Sequence, residues 1–278
     1  MIGIFKNELH KILRQKKVYI FCGVMVFMAL FQYISYIMFK TVSKQHPEML
    51  NPYANINGQN MPFMVLGSIG IVIVVFLVIL ITESVTDEYK HGNIKNDLLC
   101  PISRNQLIVS KILAVFVSLE FVLIFTMIIS YLLGFLFFGT GGKFIITSYD
   151  YSSTGQIISK TFEASFLDGI LITFLSYLMY SLPYIAFAMI VFFIAMNFTN
   201  TGVTIGVSLG VWFIFTVVVQ NISQIKPYII STYFDYYYKY IDKFVLKDFL
   251  HDILVIALYF LVFSFLSLLI FRKKDITL

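Results

Sequence analysis

Six long apolar segments alternate with shorter polar stretches along the 278-residue chain. A helix needs about 20 mostly apolar residues to cross the hydrocarbon core of a bilayer, and each segment is approximately this long or longer. The polar stretches leave no room for a soluble domain. The pattern therefore predicts an all-α integral membrane protein with six transmembrane helices. Their predicted bounds are residues 18–39, 63–82, 107–138, 170–196, 202–220 and 250–271.

A different pattern occupies residues 1–17, ahead of the six-span domain at residues 18–278. Apolar side chains recur at helical spacing on one face, and basic side chains fill much of the rest. The apolar positions are Ile2, Phe5, Leu9, Ile12 and Leu13, and the basic ones are Lys6, His10, Lys11, Arg14 and Lys17. This predicts an amphipathic helix in the membrane interface. It is either a topology anchor or an element with a mechanical role, and the pattern favours neither.

The composition agrees with a membrane protein, because 59% of the residues are hydrophobic and 13% are charged, whereas soluble domains are about 25% charged. Lys and Arg concentrate before the first span, between the second and third spans, and after the sixth. Since cytoplasmic flanks are rich in these residues, we expect both termini in the cytoplasm of a bacterial cell. The net charge of +5 then indicates anchoring to membrane lipid and no nucleic-acid partner.

Two long segments lie on the opposite side of the predicted bilayer. Residues 139–169 begin with a glycine cluster and continue as a mixed sequence without a clear pattern. Residues 221–249 are rich in Tyr, and their lysines run against the charge bias, although acidic residues are interleaved. Because Tyr is enriched where membrane and water meet, we expect short helices at the outer headgroup level there. The alternative is that this segment lines a substrate exit.

The connection between the second and third spans carries the most informative local pattern. It begins with a charged helical extension that contains Glu83 and Glu88, and Gly92 permits the chain reversal that ends a helix. A short amphipathic helix follows and stops at Pro101. Its apolar face comprises Ile94, Leu98 and Leu99.

The spacing of Ser103 and Gln106 is typical of a capping box, which predicts that the third-span helix starts there. The connection therefore reads as helix, turn, short apolar-faced helix, turn and helix. A short helix with an apolar face and a charged rim is suited to dock into a groove on a soluble partner. The alternative is a plain loop pinned to the headgroups.

These features resemble the permeases of type-2 ABC exporters over the whole chain. The resemblance rests on acidic residues after the second span, a Gly, a Leu pair and a Pro-Ile-Ser-Arg sequence before the third span. It implies that residues 1–17 form an elbow helix and that the short helix couples the chain to an ATPase. The residues that it assigns to ATPase coupling are Glu83, Glu88, Gly92, Ile94, Leu98, Leu99, Pro101 and Arg104.

The resemblance also implies partners. Two permeases, identical or siblings, would bind two ABC ATPase subunits, which would hold the ATP and magnesium, so no cofactor is expected on this chain. Cargo would pass outward between the permeases. Relatives without enlarged outer domains move small or amphipathic cargo, such as antimicrobial peptides, peptide toxins, drugs and lipids.

Sequence motifs for enzymatic chemistry are absent. The chain has no G-x-x-x-x-G-K-[ST] pattern and no H-E-x-x-H pattern, and its four His are scattered. We therefore expect no catalytic residue, no metal site and no ATP hydrolysis on this chain. An ion-coupled carrier is an alternative that would need several buried charges along a pathway, and deep inside the predicted spans the sequence offers only Glu120. A non-transporting immunity protein that sequesters a peptide at the membrane is an alternative that composition does not exclude.

Glu120 is the one acidic residue that clearly lies deep inside a predicted span. Such residues are costly in a bilayer and usually face the bundle interior or a wet cavity. Glu120 is therefore either a cargo or proton contact or a protonated, hydrogen-bonded packing residue, with Gln32 or Gln220 as its partner.

The fifth span begins with small residues spaced four apart, Gly202, Gly206 and Gly210. Such a stripe lets two helices pack closely. It serves either the contact between two permeases or packing within one subunit, and the motif does not choose between them.

Overall fold

A computed structural model describes residues 2–46, 53, 55–88, 103–140, 142–151, 157–222, 224–242 and 244–273. Six helices among them are long and apolar enough to cross a membrane. The prediction of an all-α fold with six spans is therefore confirmed. The spans are Lys16–Gln45, Gly70–Asp87, Arg104–Phe138, Phe166–Asn197, Thr201–Val218 and Leu246–Arg272.

The amphipathic helix at the N-terminus is α1 (Ile2–Leu13), and it leads directly into α2 (Lys16–Gln45), the first span. α1 packs against the third span, and Ile12 is buried in the core while Ile2 is 74% exposed. The helix therefore rests on protein along one face, in addition to any contact that it makes with lipid.

The second span is divided where the apolar pattern predicted one continuous helix from residue 63. A short helix, α3 (Met61–Leu66), precedes α4 (Gly70–Thr82), and residues 67–69 between them are not helical. A π-helical turn (Glu83–Asp87) extends α4. Gly67 and Ser68 occupy the break, and both residue types are tolerated within membrane helices, so hydrophobicity alone did not reveal it.

The third and fourth spans are α5 (Arg104–Phe138) and α6 (Phe166–Asn197). α6 is the central helix. In its most apolar stretch of 18 residues, 78% of the residues are buried, against 11% for the fifth span and 17% for the sixth. It packs against α4 and most extensively against the sixth span. Pro183 lies inside α6, as expected from the sequence.

The fifth span consists of α7 (Thr201–Phe213) and a π-helical turn (Ile214–Val218). The sixth is α9 (Leu246–Lys273), which follows the short helix α8 (Lys239–Asp242). The end of α9 lies beside the start of α5. We name the side that holds α1 and these two helix ends the terminal side, and the opposite side the loop side.

A two-stranded antiparallel hairpin stands on the loop side, where the sequence predicted no strands. Its strands are β1 (Phe144–Tyr151) and β2 (Ile157–Ala164). The Asn60 side-chain amide donates to the carbonyls of Asn55 and Ile145, at 2.7 Å each, and so ties the hairpin to the chain ahead of α3. The bond between Asn60 and Ile145 joins residues 85 positions apart, so it leaves no local pattern in the sequence.

Among the described residues, the Tyr-rich segment and the residues leading into it form 3-10 turns at Val219–Asn221, Lys226–Tyr228, Ile230–Tyr233 and Tyr236–Tyr238. The ring of Phe234 stacks on Tyr184 at 4.5 Å between centroids, and the ring of Tyr237 meets Tyr180 edge-to-face at 5.7 Å. Tyr180 and Tyr184 lie near the middle of α6. Short helices therefore form in this segment as expected, the rings of Phe234 and Tyr237 are buried against α6, and a position at the headgroup level stays a prediction.

Candidate functional site

The residues predicted to couple the chain to an ATPase flank or occupy the connection between the second and third spans. Glu83, Glu88 and Arg104 lie on its flanks, within the described part of the chain. The others lie outside the described residues, namely Gly92, Ile94, Leu98, Leu99 and Pro101. The structure therefore shows how both ends of the connection at residues 89–102 are held.

Four charged residues form a ring of ion pairs where the connection leaves and re-enters the spans. Lys111 Nζ lies 2.6 Å from Glu8 Oε2 and 2.6 Å from Glu88 Oε2. Lys11 Nζ lies 3.0 Å from Glu8 Oε1 and 3.4 Å from Glu88 Oε1. Each ammonium group thus bridges the same two carboxylates. We name Glu8, Lys11, Glu88 and Lys111 the four-residue network.

The four-residue network is largely withdrawn from water and balanced in formal charge. The side chains of Lys111 and Glu8 are each 3% exposed, that of Glu88 is 15% exposed and that of Lys11 is 37% exposed. Burying charges is unfavourable unless their geometry and hydrogen bonding are good, and loss of one partner leaves an uncompensated charge. The network is therefore favourable only when α1, α4 and α5 keep the same positions relative to one another.

Local structure explains why these four side chains converge. Glu8 and Lys11 are three residues apart in α1 and so lie on one face of that helix. Glu88 directly follows the π-helical extension of α4. Lys111 lies two turns into α5, on a face that packs against α1.

Further contacts link the flanks of the connection to the first and sixth spans. Lys17, at the start of α2, forms an ion pair with Glu83. Arg104 Nη1 donates to the carbonyl of Arg272 at 3.2 Å, and Arg272 Nε donates to Asn105 Oδ1 at 2.9 Å. The last carbonyls of a helix lack intrahelical donors, so Arg104 also completes the end of α9.

The start of α5 has the predicted capping box. The backbone N–H of Gln106 donates to Ser103 Oγ at 3.3 Å, and the backbone N–H of Ser103 donates to Gln106 Oε1 at 3.2 Å. This prediction is confirmed. The cap fixes the point at which the connection enters the third span.

Glu120 lies near the middle of α5, and its carboxyl is beside the Ser181 hydroxyl of α6. Phe116, one turn earlier in α5, and Leu182 both line an apolar cavity of about 370 Å³ between the third, fourth and sixth spans. Gln32 is engaged elsewhere, since its amide donates to the carbonyl of Met64 at 3.3 Å. A role for Glu120 in cargo contact stays a prediction.

The glycine stripe of the fifth span is open. A Cβ atom added at Gly206 or Gly210 would meet no heavy atom within 4 Å, and at Gly202 it would meet the Asn200 side chain at 3.4 Å. Within the described part of the chain, the stripe therefore packs against no other span.

Sequence reasoning selected Glu88 but did not place Glu8, Lys11 and Lys111 together with it. Two signals were available. Glu8 is the one acidic residue in an otherwise basic and apolar α1, and Lys111 interrupts an apolar span. Neither signal identifies a partner, because the paired residues are far apart in the chain.

Six membrane helices and a braced connection between the second and third spans define a multi-pass membrane protein. A family model described as ABC-2 family transporter protein matches residues 4–162, more than half of the chain and all of the four-residue network. The chain belongs to this family.

The Bacillus subtilis (strain 168) protein named "Uncharacterized protein YhcI" is similar to this chain. The two are 28% identical over 206 residues, which are 72% of this chain and 64% of that protein. The match thus spans less than two thirds of the length of this relative.

Proposed function

We propose that this chain is the permease subunit of an ATP-driven exporter and that a separate ATPase subunit docks on residues 89–102. The observation that supports this most is the four-residue network, which joins both flanks of the connection to α1. Separating these charges is unfavourable where little water can reach them, so the joined elements should move as one body. Such a junction is suited to carry a movement of the connection into the membrane.

In the proposal, a movement of the connection displaces three spans. Lys111 belongs to the third span, Glu83 is paired with Lys17 of the first, and Arg104 is bonded to the end of the sixth. Closing of the ATPase would therefore displace these spans together with the elbow helix α1. Family membership supports this view, because ABC-2 permeases usually work with an ATPase subunit.

ATP and magnesium belong to the ATPase partner in this proposal, and this chain binds no cofactor. The terminal side is cytoplasmic, as the Lys and Arg bias indicates, and the protein lies in the bacterial cell membrane. The cargo is small or amphipathic, such as an antimicrobial or toxin peptide, a drug or a lipid. The apolar cavity between the third, fourth and sixth spans supports an amphipathic cargo.

A second permease, identical or a sibling, completes the pathway. The first, fifth and sixth spans have little cover in one chain, since 22%, 11% and 17% of the residues in their most apolar stretches are buried. The open glycine stripe lies on the fifth span, where small side chains allow a close approach of another helix. We place the contact between permeases there.

Replacing Gly206 and Gly210 by leucine should convert a permease dimer to a monomer. The added side chains enter open space in one chain, so the fold should persist, but they separate two helices that meet at this stripe. The mass from size exclusion with light scattering should halve, while the helical circular dichroism stays unchanged. Gly3→Leu, also in open space but in α1, is the control. A double variant that remains dimeric would move the contact elsewhere.

Purification of the tagged chain from its source cells in a mild detergent tests the proposed function. We expect an ATP-hydrolysing subunit to co-purify, and inside-out vesicles that contain both to accumulate cargo in an ATP-dependent manner. A chain that retains an antimicrobial peptide at the membrane, with neither an ATPase nor ATP-dependent accumulation, would indicate an immunity protein instead.

A further inference from the structure

A cavity with a partly polar lining lies where the break in the second span meets the Tyr-rich turns, away from the four-residue network. Its volume is about 440 Å³. The residues that argue for its role are Gln32, Gly67, Ser68, Asp235, Tyr237 and Tyr238. We name it the tyrosine cavity. Non-helical backbone within a membrane protein is tolerated where it is buried in protein or lines a cavity, and residues 67–69 fit this description.

Two aromatic rings form a fixed wall of the tyrosine cavity. The ring centroids of Tyr237 and Tyr238 are 5.2 Å apart, and both rings pack edge-to-face on Phe63, at 5.4 Å and 4.8 Å. Phe63 is fully buried, so this wall is in place before any ligand arrives. The faces of such rings attract cations.

A carboxylate without a counter-charge stands in the same wall. Asp235 forms no ion pair with any described residue, and its nearby lysine, Lys239, is paired with Asp252 at 3.1 Å. Asp235 is an exposed residue of the chain, and partial burial of its carboxyl raises the pKa of that group. A cation bound in the cavity would offset this unfavourable environment of the ionised carboxyl.

Two buried acceptors complete the lining. Gln32 is 6% exposed and Tyr237 is 1% exposed, yet Gln32 Oε1 and the Tyr237 hydroxyl have no hydrogen-bond partner among the described residues. The amide nitrogen of Gln32 already donates to the carbonyl of Met64, which leaves its oxygen as an acceptor. Buried polar atoms without partners are unfavourable, so Gln32 Oε1 favours a ligand that donates a hydrogen bond, and the Tyr237 hydroxyl, which can donate or accept, favours a polar ligand.

We infer that the tyrosine cavity binds a primary ammonium group. Asp235 supplies the opposite charge, Gln32 Oε1 and the Tyr237 hydroxyl accept N–H groups, and the Tyr238 ring covers the cation. Calcium and magnesium ions take about six or more oxygen ligands, which one carboxylate and one amide do not provide. The inference rests on the proposed function, since it gives the amphipathic cargo a cationic amine.

The source of the ammonium group is either an amine on a soluble cargo or the headgroup of an aminophospholipid. Both present the same chemistry to the cavity. The test uses the purified chain in a neutral maltoside detergent without any ATPase, so its outcome is independent of whether an ATPase partner exists.

Equilibrium dialysis with radiolabelled phenethylammonium measures this binding directly. We expect saturable binding that unlabelled phenethylammonium displaces and that phenethyl alcohol and potassium chloride do not. Displacement by added phosphatidylethanolamine would identify the lipid headgroup as a source, and its failure to displace would identify a soluble amine.

Asp235→Asn should weaken the binding of phenethylammonium at least tenfold, about 1.4 kcal/mol, because it removes the charge and keeps the shape. Tyr238→Ala should weaken it about fivefold, whereas Tyr238→Phe should retain it, because the ring face carries the attraction. The matched control is Asp248→Asn, an exposed acidic residue at the start of α9 that should bind as the unchanged chain does.

Several results would overturn the inference. They are an absence of saturable binding to the unchanged chain, equal displacement by phenethyl alcohol, and equal affinity of the Asp235→Asn and Asp248→Asn variants. Since the displacement arms use the unchanged chain, they decide the question even if a variant does not fold.

Discussion

Replacing Lys111 by methionine should lower the free energy of unfolding by about 3–5 kcal/mol. Methionine keeps the apolar stem but removes the ammonium group that lies 2.6 Å from both Glu8 and Glu88. Two carboxylates then share a site with little water, and Lys11 alone cannot neutralise both. Thermal unfolding of the purified chain in detergent, followed by helical circular dichroism, measures the loss.

Lys143→Met is the matched control for this variant. Lys143 also pairs with a glutamate, at 3.0 Å from Glu163, but these side chains are 71% and 52% exposed. Exposed pairs contribute less than about 1 kcal/mol, so the control should unfold close to the unchanged chain. Adding Glu8→Gln to Lys111→Met should restore part of the stability, because it removes one of the unpaired charges. Equal unfolding of the Lys111 and Lys143 variants would show that the network does not hold the terminal side together.

The six spans were predictable because a bilayer imposes a requirement on about 20 consecutive residues, which a single sequence displays. The start of α5 was predictable for a similar reason, since Ser103 and Gln106 satisfy each other within one turn. Both features depend on neighbours in the chain. At these places, the residues that form the recognisable sequence pattern are also the residues that determine the local structure.

The division of the second span and the course of the Tyr-rich segment were not predictable in this way. Leu66 and Ile73 are equally apolar on the two sides of the break, so hydrophobicity continues across it. Tyr side chains suit both a membrane interface and a buried aromatic cluster. Only contacts such as Phe234 with Tyr184 decide between these environments, and they join residues distant in sequence.

The residues of the candidate site also fall into two groups, those that local sequence predicts and those that it does not. Glu83, Glu88 and Arg104 stand next to a recognisable connection, so their region of the molecule was predictable. Glu8 and Lys111 are separated by 103 positions, and no periodicity relates them. Their pairing follows from the packing of α1 on α5. The amphipathic pattern of α1 alone did not show whether its apolar face contacts lipid or protein.

Replacing both Leu98 and Leu99 by aspartate should release the ATPase from this chain. Burial of a leucine contributes about 1.5–3 kcal/mol, and an unpaired carboxylate in an apolar groove is a further penalty. The two leucines together thus correspond to at least about a hundredfold loss of affinity, at about 1.4 kcal/mol per tenfold. Pull-down of the ATPase by the detergent-solubilised permease, with size exclusion of the permease itself, measures both binding and fold.

The leucine pair lies in the connection between two spans, so its change should leave membrane insertion intact, since insertion depends on the spans. Leu246→Asp is the control, because this leucine is 60% exposed at the start of the sixth span, on the loop side. It should retain the ATPase and show that a new carboxylate alone does not disturb the complex. A folded Leu98→Asp, Leu99→Asp variant that still binds and stimulates the ATPase would exclude the short helix as the docking element. The four-residue network would then serve to brace the terminal side, without a role in coupling.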